Sequence, residues 1–295
     1  MPIVVLHHTN RLLWARVAAL LCTCVAFSVA SHGGQLGDGG GIYIFCWSFS
    51  FAGTLLVLLV EMFGLQTRTP VSWTNFPITF AAYASLLCLF ASIAFPLSYL
   101  SGYDRKGEVR DHRIAACVFS CLATVAYLVE VSLARARPGE VAGYMATTPG
   151  LLKVCETFVA CVIFVFISDP VSYDRYPALK WCLAVYCICF ALSAAIVVLC
   201  VGECTGLLPF PFSRFLSVYS FLAVAMYLTA TIIWPVYQFD SRYSGQAHRP
   251  SYCASMRSGM CPWDKLVGVS VLSGLNLLLY LADLSYSARL VFVSG

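Results

Sequence analysis

Charge is scarce in this chain. Asp, Glu, Lys and Arg make up 11% of its 295 residues, and the formal net charge is +4. No Lys/Arg block is dense enough to act as a nucleic-acid patch. The five histidines, His7, His8, His32, His112 and His248, are scattered over termini and loops without metal-ligand spacing. The chain also lacks a Gly-x-Ser-x-Gly elbow, a P-loop and a dinucleotide-binding fingerprint. Gly39-Gly40-Gly41 precedes an apolar run and reads as a tight turn. These absences leave no catalytic residue, metal ligand or cofactor to expect. No Asn-x-Ser/Thr sequon is present to report sidedness.

What the chain has instead is length without polarity. Hydrophobic residues make up 60%, and the mean hydropathy is +0.81. No water-soluble fold covers that much apolar surface, whereas about 20 apolar residues match the roughly 30 Å hydrocarbon core of a bilayer. Eight spans are expected: Leu12–Ala30, Ile42–Phe63, Asn75–Leu100, Arg113–Ala134, Pro149–Ser168, Lys180–Cys200, Phe212–Tyr237 and Lys265–Ala288. In lipid each must be a helix, because every backbone polar group needs an internal partner. The first span carries Arg16 and lacks a small-x-small cleavage site, so it reads as a retained helix rather than a signal peptide. The connections are too short for a separate soluble domain. Most of the 15 cysteines lie inside apolar segments, where they read as packing residues.

The second four spans repeat the first four. Aligning Pro96 with Pro235 also aligns Phe76 with Phe215, Phe80 with Tyr219 and Leu89 with Leu228. Asp111, Tyr127 and Glu130 match Asp264, Tyr280 and Asp283 at the same spacings. Trp47 and Phe51 match Tyr186 and Phe190, while Arg16-Val17 and Cys24 match Lys153-Val154 and Cys161. Four spans return the chain to its starting side, so the copies are expected in parallel orientation about an axis normal to the membrane. The expected fold is an all-α membrane protein with one four-helix bundle in residues 1–137 and a second in residues 138–295.

The stretch ARARPGEVAGYMATTPGLLKVCETFVACVIF, with Ile233-Trp234-Pro235-Val236 and Cys261-Pro262-Trp263-Asp264, resembles the myeloid-associated differentiation marker family and above all its "like" branch. The likeness runs over nearly the whole chain. It implies two tandem MARVEL domains of four helices each. It also implies a role in membrane apposition, vesicle traffic, cell junctions or cholesterol-rich membrane organisation, with both termini in the cytosol. The positive-inside count does not support that orientation. The loop after span three, outward on the family pattern, carries Arg105, Lys106, Arg110 and Arg113, and the one after span seven carries Arg242, Arg249 and Arg257. Inner regions show no excess of Lys and Arg. Cys253 and Cys261 favour the family orientation, since a disulfide between them needs an oxidising compartment.

Ionisable groups inside spans are costly and are functional-site candidates by default. Here they are Arg16, Glu61, Glu130, Lys153, Glu156 and Asp283. The first and last helices of a four-helix bundle are usually neighbours. That suggests two equivalent ion pairs, Arg16–Glu130 and Lys153–Asp283. Pairing of Glu130 with Lys153, or side chains that snorkel singly to headgroups, are the alternatives. Cys200 and Cys204 at the end of span six are acylation candidates. Pro96 and Pro235 should kink or end their helices. Ala191/Ala195 and Ser270/Gly274 are small-residue pairs of the kind that let helices approach. Trp14, Trp73, Trp181, Trp234 and Trp263 read as interface anchors.

Midspan residues are mainly Leu, Ala, Val, Phe, Cys and Ser, which argues against a transport pathway. The expectation is a non-enzymatic multi-pass protein that organises membrane domains, apposition or trafficking by lateral contact. Its partners would be membrane lipids, including sterol-rich domains, and membrane or cortical scaffold proteins, with a homo-oligomer possible. Its place would be the plasma membrane or vesicles. The rivals are a channel or transporter with a pathway between the bundles and, third, an intramembrane enzyme or lipid carrier, which would need a deep convergence of His, Asp or Cys that the spacing does not show.

Overall fold

The structure is a computed structural model, and it describes residues 2–32, 36, 39–100, 107–135, 143–207, 211–255 and 260–293. Contacts divide the chain into two compact units, the first ending at Thr147 and the second starting at Thr148. The boundary expected at 137/138 lies outside the described residues, as do Arg105, Lys106, Arg137 and Arg257.

The first unit holds α1 (Pro2–His32), α2 (Gly41–Met62), α3 (Phe76–Tyr99) and α4 (Glu108–Ala134). The second holds α5 (Thr148–Phe166), α6 (Pro177–Val201), α7 (Phe212–Phe239), a one-turn α8 (Tyr252–Ser255) and α9 (Pro262–Val293). Among the described residues, eight helices are long and apolar enough to cross a membrane, all but α8. Local chemistry sets several ends. Pro177 opens α6, where a missing N–H costs nothing. Gly64 follows α2 in the left-handed conformation (φ +64°) that helix termini favour.

Each unit closes on itself. In the first, α1 packs against α2 and α4, and α3 against the same two. In the second, α5 packs against α6 and α9, and α7 against the same two. First and last helices are therefore neighbours in both bundles.

Polarity is arranged for lipid. The outer face of α4 presents Val118, Leu122, Val125 and Val129. Between helices lie small residues such as Ala19, Ala81, Ala84, Ala91, Ala116 and Ala123, all fully buried. Lipid tails provide no hydrophobic drive between helices, so close approach over small residues must hold them together. Close approaches between helices lie elsewhere than the small-residue pairs suggest. A Cβ at Gly53 would strike the Phe80 ring, and one at Gly268 would strike Phe166. Ala191 and Ala195 instead face outward, and Gly274 has open space where a Cβ would go.

Pro96 and Pro235 end neither helix. Each lies inside, with α3 running on to Tyr99 and α7 to Phe239. The turn beyond each proline re-forms the ladder, as in Leu100 N to Pro96 O at 2.9 Å. Trp234, expected as an interface anchor, is a core residue with no exposure, and its indole donates to Leu266 O at 3.2 Å. The cysteines divide: Cys46, Cys88, Cys182 and Cys189 are buried packing residues, but Cys121, Cys161 and Cys187 face outward.

Candidate functional site

In the first bundle, Arg16 projects from α1 into the interior and is 3% exposed. Its Nε donates to Glu130 Oε1 on α4 at 2.6 Å, and its Nη1 donates to Glu61 at the end of α2. One guanidinium thus ties three helices. Glu61 sits at the edge, with 28% of its side chain exposed against 4% for Glu130. Trp73 Nε1 approaches the other Glu61 oxygen at 3.4 Å.

In the second bundle, Lys153 on α5 is fully buried. Its Nζ donates to Glu156 Oε2 one turn on and to Asp283 Oδ2 on α9, each at 2.8 Å. The ammonium also lies over the rings of Tyr219 and Tyr280, at 4.7 and 5.1 Å from their centroids. Ser193 Oγ donates to Glu156 Oε2 at 3.1 Å, and Ser220 Oγ donates to Asp283 Oδ2. Lys153 is therefore engaged inside its own bundle, and neither it nor Arg16 extends to the surface.

The structure brings Arg16 to Glu130 and Lys153 to Asp283. It also supplies a second carboxylate to each cation, and the repeat does not carry that group. In the register that pairs Trp47 with Tyr186, Glu61 falls opposite Cys200. In the register that pairs Arg16 with Lys153, Glu156 falls opposite Ala19. Each copy holds one cation against two carboxylates, but the extra carboxylate comes from α2 in one and α5 in the other.

A second set of contacts does follow the repeat. Trp47 Nε1 donates to Ser120 Oγ at 2.9 Å, and the matching Tyr186 hydroxyl meets Ser273 Oγ at 2.7 Å. Thr54 Oγ1 meets the Tyr127 hydroxyl at 2.6 Å, and the matching Ser193 and Tyr280 hydroxyls lie 3.0 Å apart. These rungs lie deep within the spans, so the interior is not as free of polar groups as composition suggests. A buried hydroxyl or indole N–H without a partner is costly, and here each rung satisfies itself across two helices.

The second interior is the more polar. Tyr219, Ser220, Glu156 and Asn276 stand where the first copy has Phe80, Ala81, Ala19 and Ala123. Asn276 Nδ2 donates to the Tyr227 hydroxyl at 2.7 Å and to Glu156 O at 3.3 Å. Sequence reasoning missed Asn276 and Tyr227; the signal was an Asn in an apolar span whose repeat partner is Ala. Among the described residues, no group of three His, Cys, Asp or Glu side chains converges as metal ligands would.

Cys253 and Cys261 form a disulfide, with their Cα atoms 5.5 Å apart. Of the two acylation candidates, Cys200 is 3% exposed, while Cys204 is half-buried in the turn beyond α6. An acyl chain on Cys200 would have to open the helix end, so Cys204 is the more accessible thiol. Arg113, counted above among loop cations, is 4% exposed; it donates to Tyr99 O at 3.2 Å and stacks over the Tyr99 ring.

Comparison with known proteins agrees with this duplication. The MARVEL model, described as a membrane-associating domain, matches residues 10–133 and again 144–286. A myeloid-associated differentiation marker homolog from Xenopus laevis is 57% identical over 95% of this chain and 92% of its own length. The human myeloid-associated differentiation marker is 55% identical over 94% of this chain and 87% of its own. The human myeloid-associated differentiation marker-like protein 2 is 45% identical over 95% and 91%. Identity therefore runs higher to these differentiation markers than to this "like" protein. No solved structure matches the chain.

Proposed function

From the premise that this chain belongs to the MARVEL family, as a multi-pass membrane protein of the myeloid-associated differentiation marker type, we propose that it organises membrane by lateral association. Its outer helix faces select lipids and neighbouring membrane proteins, its cytosolic edges dock scaffold proteins, and it converts no substrate. The termini are cytosolic, which leaves the disulfide-closed loop on the oxidising side, and the protein works at the plasma membrane or on vesicles.

One observation carries this reading. Most polar groups inside the spans are turned inward and meet each other, with one oxygen each of Glu130, Glu156, Asp283 and Asn276 buried without a hydrogen-bond partner among the described residues, while the outward span surface is mainly aliphatic and aromatic. Arg16 and Lys153 are fully engaged by carboxylates within their own bundles. The deep hydroxyls are committed to rungs between helices. Such an interior fixes helix positions, and the remaining surface meets lipid and other helices.

The test is partitioning in phase-separated giant plasma membrane vesicles. The labelled protein should concentrate in one lipid phase and shift its distribution on sterol depletion. Proximity labelling from the loop near Gly245 should recover a reproducible set of membrane neighbours and report sidedness. Uniform distribution with no enriched neighbours would reject the proposal.

A further inference from the structure

At the end of the second bundle that carries the α5–α6 and α7–α9 connections lies a cleft of about 310 Å³. Phe166, Pro262 and Leu266 give it apolar walls, and Arg175, Lys265 and Trp263 give it a polar rim. The described lining residues of its loops are held by hydrogen bonds. Gln238 Nε2 donates to Ser172 O at 2.5 Å, Gln246 N donates to Gln238 O at 3.1 Å, and Trp263 Nε1 donates to Gln246 O at 2.9 Å. The Cys253–Cys261 disulfide ties the Tyr252 wall to the start of α9. A cleft with fixed walls loses little entropy when it is filled.

Its charge is unbalanced. Two nearby cations are matched: Arg249 makes two bonds to Asp264 at 2.9 and 2.8 Å, and Lys180 meets Asp174 at 2.8 Å. Arg175 and Lys265, which line the cleft, form no ion pair among the described residues. The single carboxylate in the lining, Asp169, accepts from Val171 N at 3.1 Å. Depth adds a second constraint. By length and composition the α5 span ends at Phe166 and the α9 span begins at Pro262, so the apolar wall sits at the ends of two spans, where headgroups are expected.

We propose that this cleft is a headgroup site for an anionic lipid. The phosphate or sulfate sits with Arg175 and Lys265, and the first chain carbons lie against Phe166 and Leu266. The site rests on the lateral-contact reading and names the lipid class that reading involves. The two fail separately, because headgroup preference is read on purified protein and lateral organisation is read in cell-derived membrane.

The experiment is native mass spectrometry of the full-length protein in neutral detergent. It is titrated with phosphatidylglycerol, sulfatide, phosphatidylcholine or inorganic phosphate. Phosphatidylglycerol and sulfatide should bind at least about tenfold more tightly than phosphatidylcholine, and the R175A/K265A variant should lose that preference. Inorganic phosphate should compete weakly, since it lacks the chain. A variant-free arm measures acetylation of Lys265 in the unaltered protein. Phosphatidylglycerol should slow it, phosphatidylcholine should not, and Lys180 should react at one rate throughout. Equal binding of phosphatidylcholine, a preference that survives in the variant, inorganic phosphate binding as tightly as the lipids, or unprotected Lys265 would each overturn the proposal.

Discussion

Replacing Lys153 with Met should damage the protein more than almost any other single exchange. The methionine fills similar volume but removes the one cation that, among the described residues, pairs with Glu156 and Asp283, both fully buried. Ser193 and Ser220 then remain as the donors to these carboxylates, and Ser193 is also shared with Tyr219 and Tyr280. Removing one partner of a buried ion pair costs about 3–5 kcal/mol, because the other charge is left uncompensated. At about 2–4 °C per kcal/mol for a domain of this size, the midpoint of thermal unfolding should fall by roughly 6–20 °C. The triple variant Lys153→Met/Glu156→Gln/Asp283→Asn should recover most of that loss. A buried ion cluster replaced whole by apolar groups of similar volume is often close to neutral in stability, and the amides here remove the uncompensated charge while keeping acceptors for Ser193 and Ser220. Lys180→Met, which removes an ion pair more than half exposed on both sides, is the control and should leave the midpoint unchanged. The assay is fluorescence-detected size-exclusion thermostability of the full-length protein in detergent. A Lys153→Met midpoint equal to the unaltered one, or a triple variant no better than the single, would refute the reasoning.

Three further outcomes follow from the same geometry. Exchanging the first pair, Arg16→Glu with Glu130→Arg, should restore surface expression only partly, because the new Glu would face Glu61; adding Glu61→Gln should complete the rescue, as read by flow cytometry of a tagged chain. Gly268→Leu should lower the unfolding midpoint through overpacking against Phe166, at about 1–3 kcal/mol, whereas Gly274→Leu, with open space around it, should not. Cys253→Ser/Cys261→Ser should lose the constraint on a short loop, a cost of roughly 2–3 kcal/mol, and should raise protease sensitivity of that loop without moving the helices.

The eight helices were readable from hydropathy because a bilayer imposes both a length and a backbone rule, and the duplication was readable because Trp47/Tyr186 and Glu130/Asp283 keep their spacing. The second carboxylates were not. Glu61 and Glu156 occupy non-equivalent positions, so no repeat-based argument pairs them with Arg16 and Lys153. Asn276 and Tyr227 escaped for a related reason: hydropathy averages over a window, and a single amide among leucines barely moves it. Trp234 was misassigned because closeness to a span end does not reveal which face of the helix is turned inward. Pro96 and Pro235 do not end their helices, because a helix end held by its neighbours tolerates one missing ladder bond.

If the buried charges and hydroxyls serve to lock each bundle, nothing passes through it. The direct test is ion and proton flux across sealed liposomes containing the full-length protein, driven by a potassium gradient and followed with a pH-sensitive and a potassium-sensitive dye. Rates should equal those of protein-free vesicles. A protein-dependent flux that falls when Asn276 is replaced by Ala, with the bundle still folded, would contradict this.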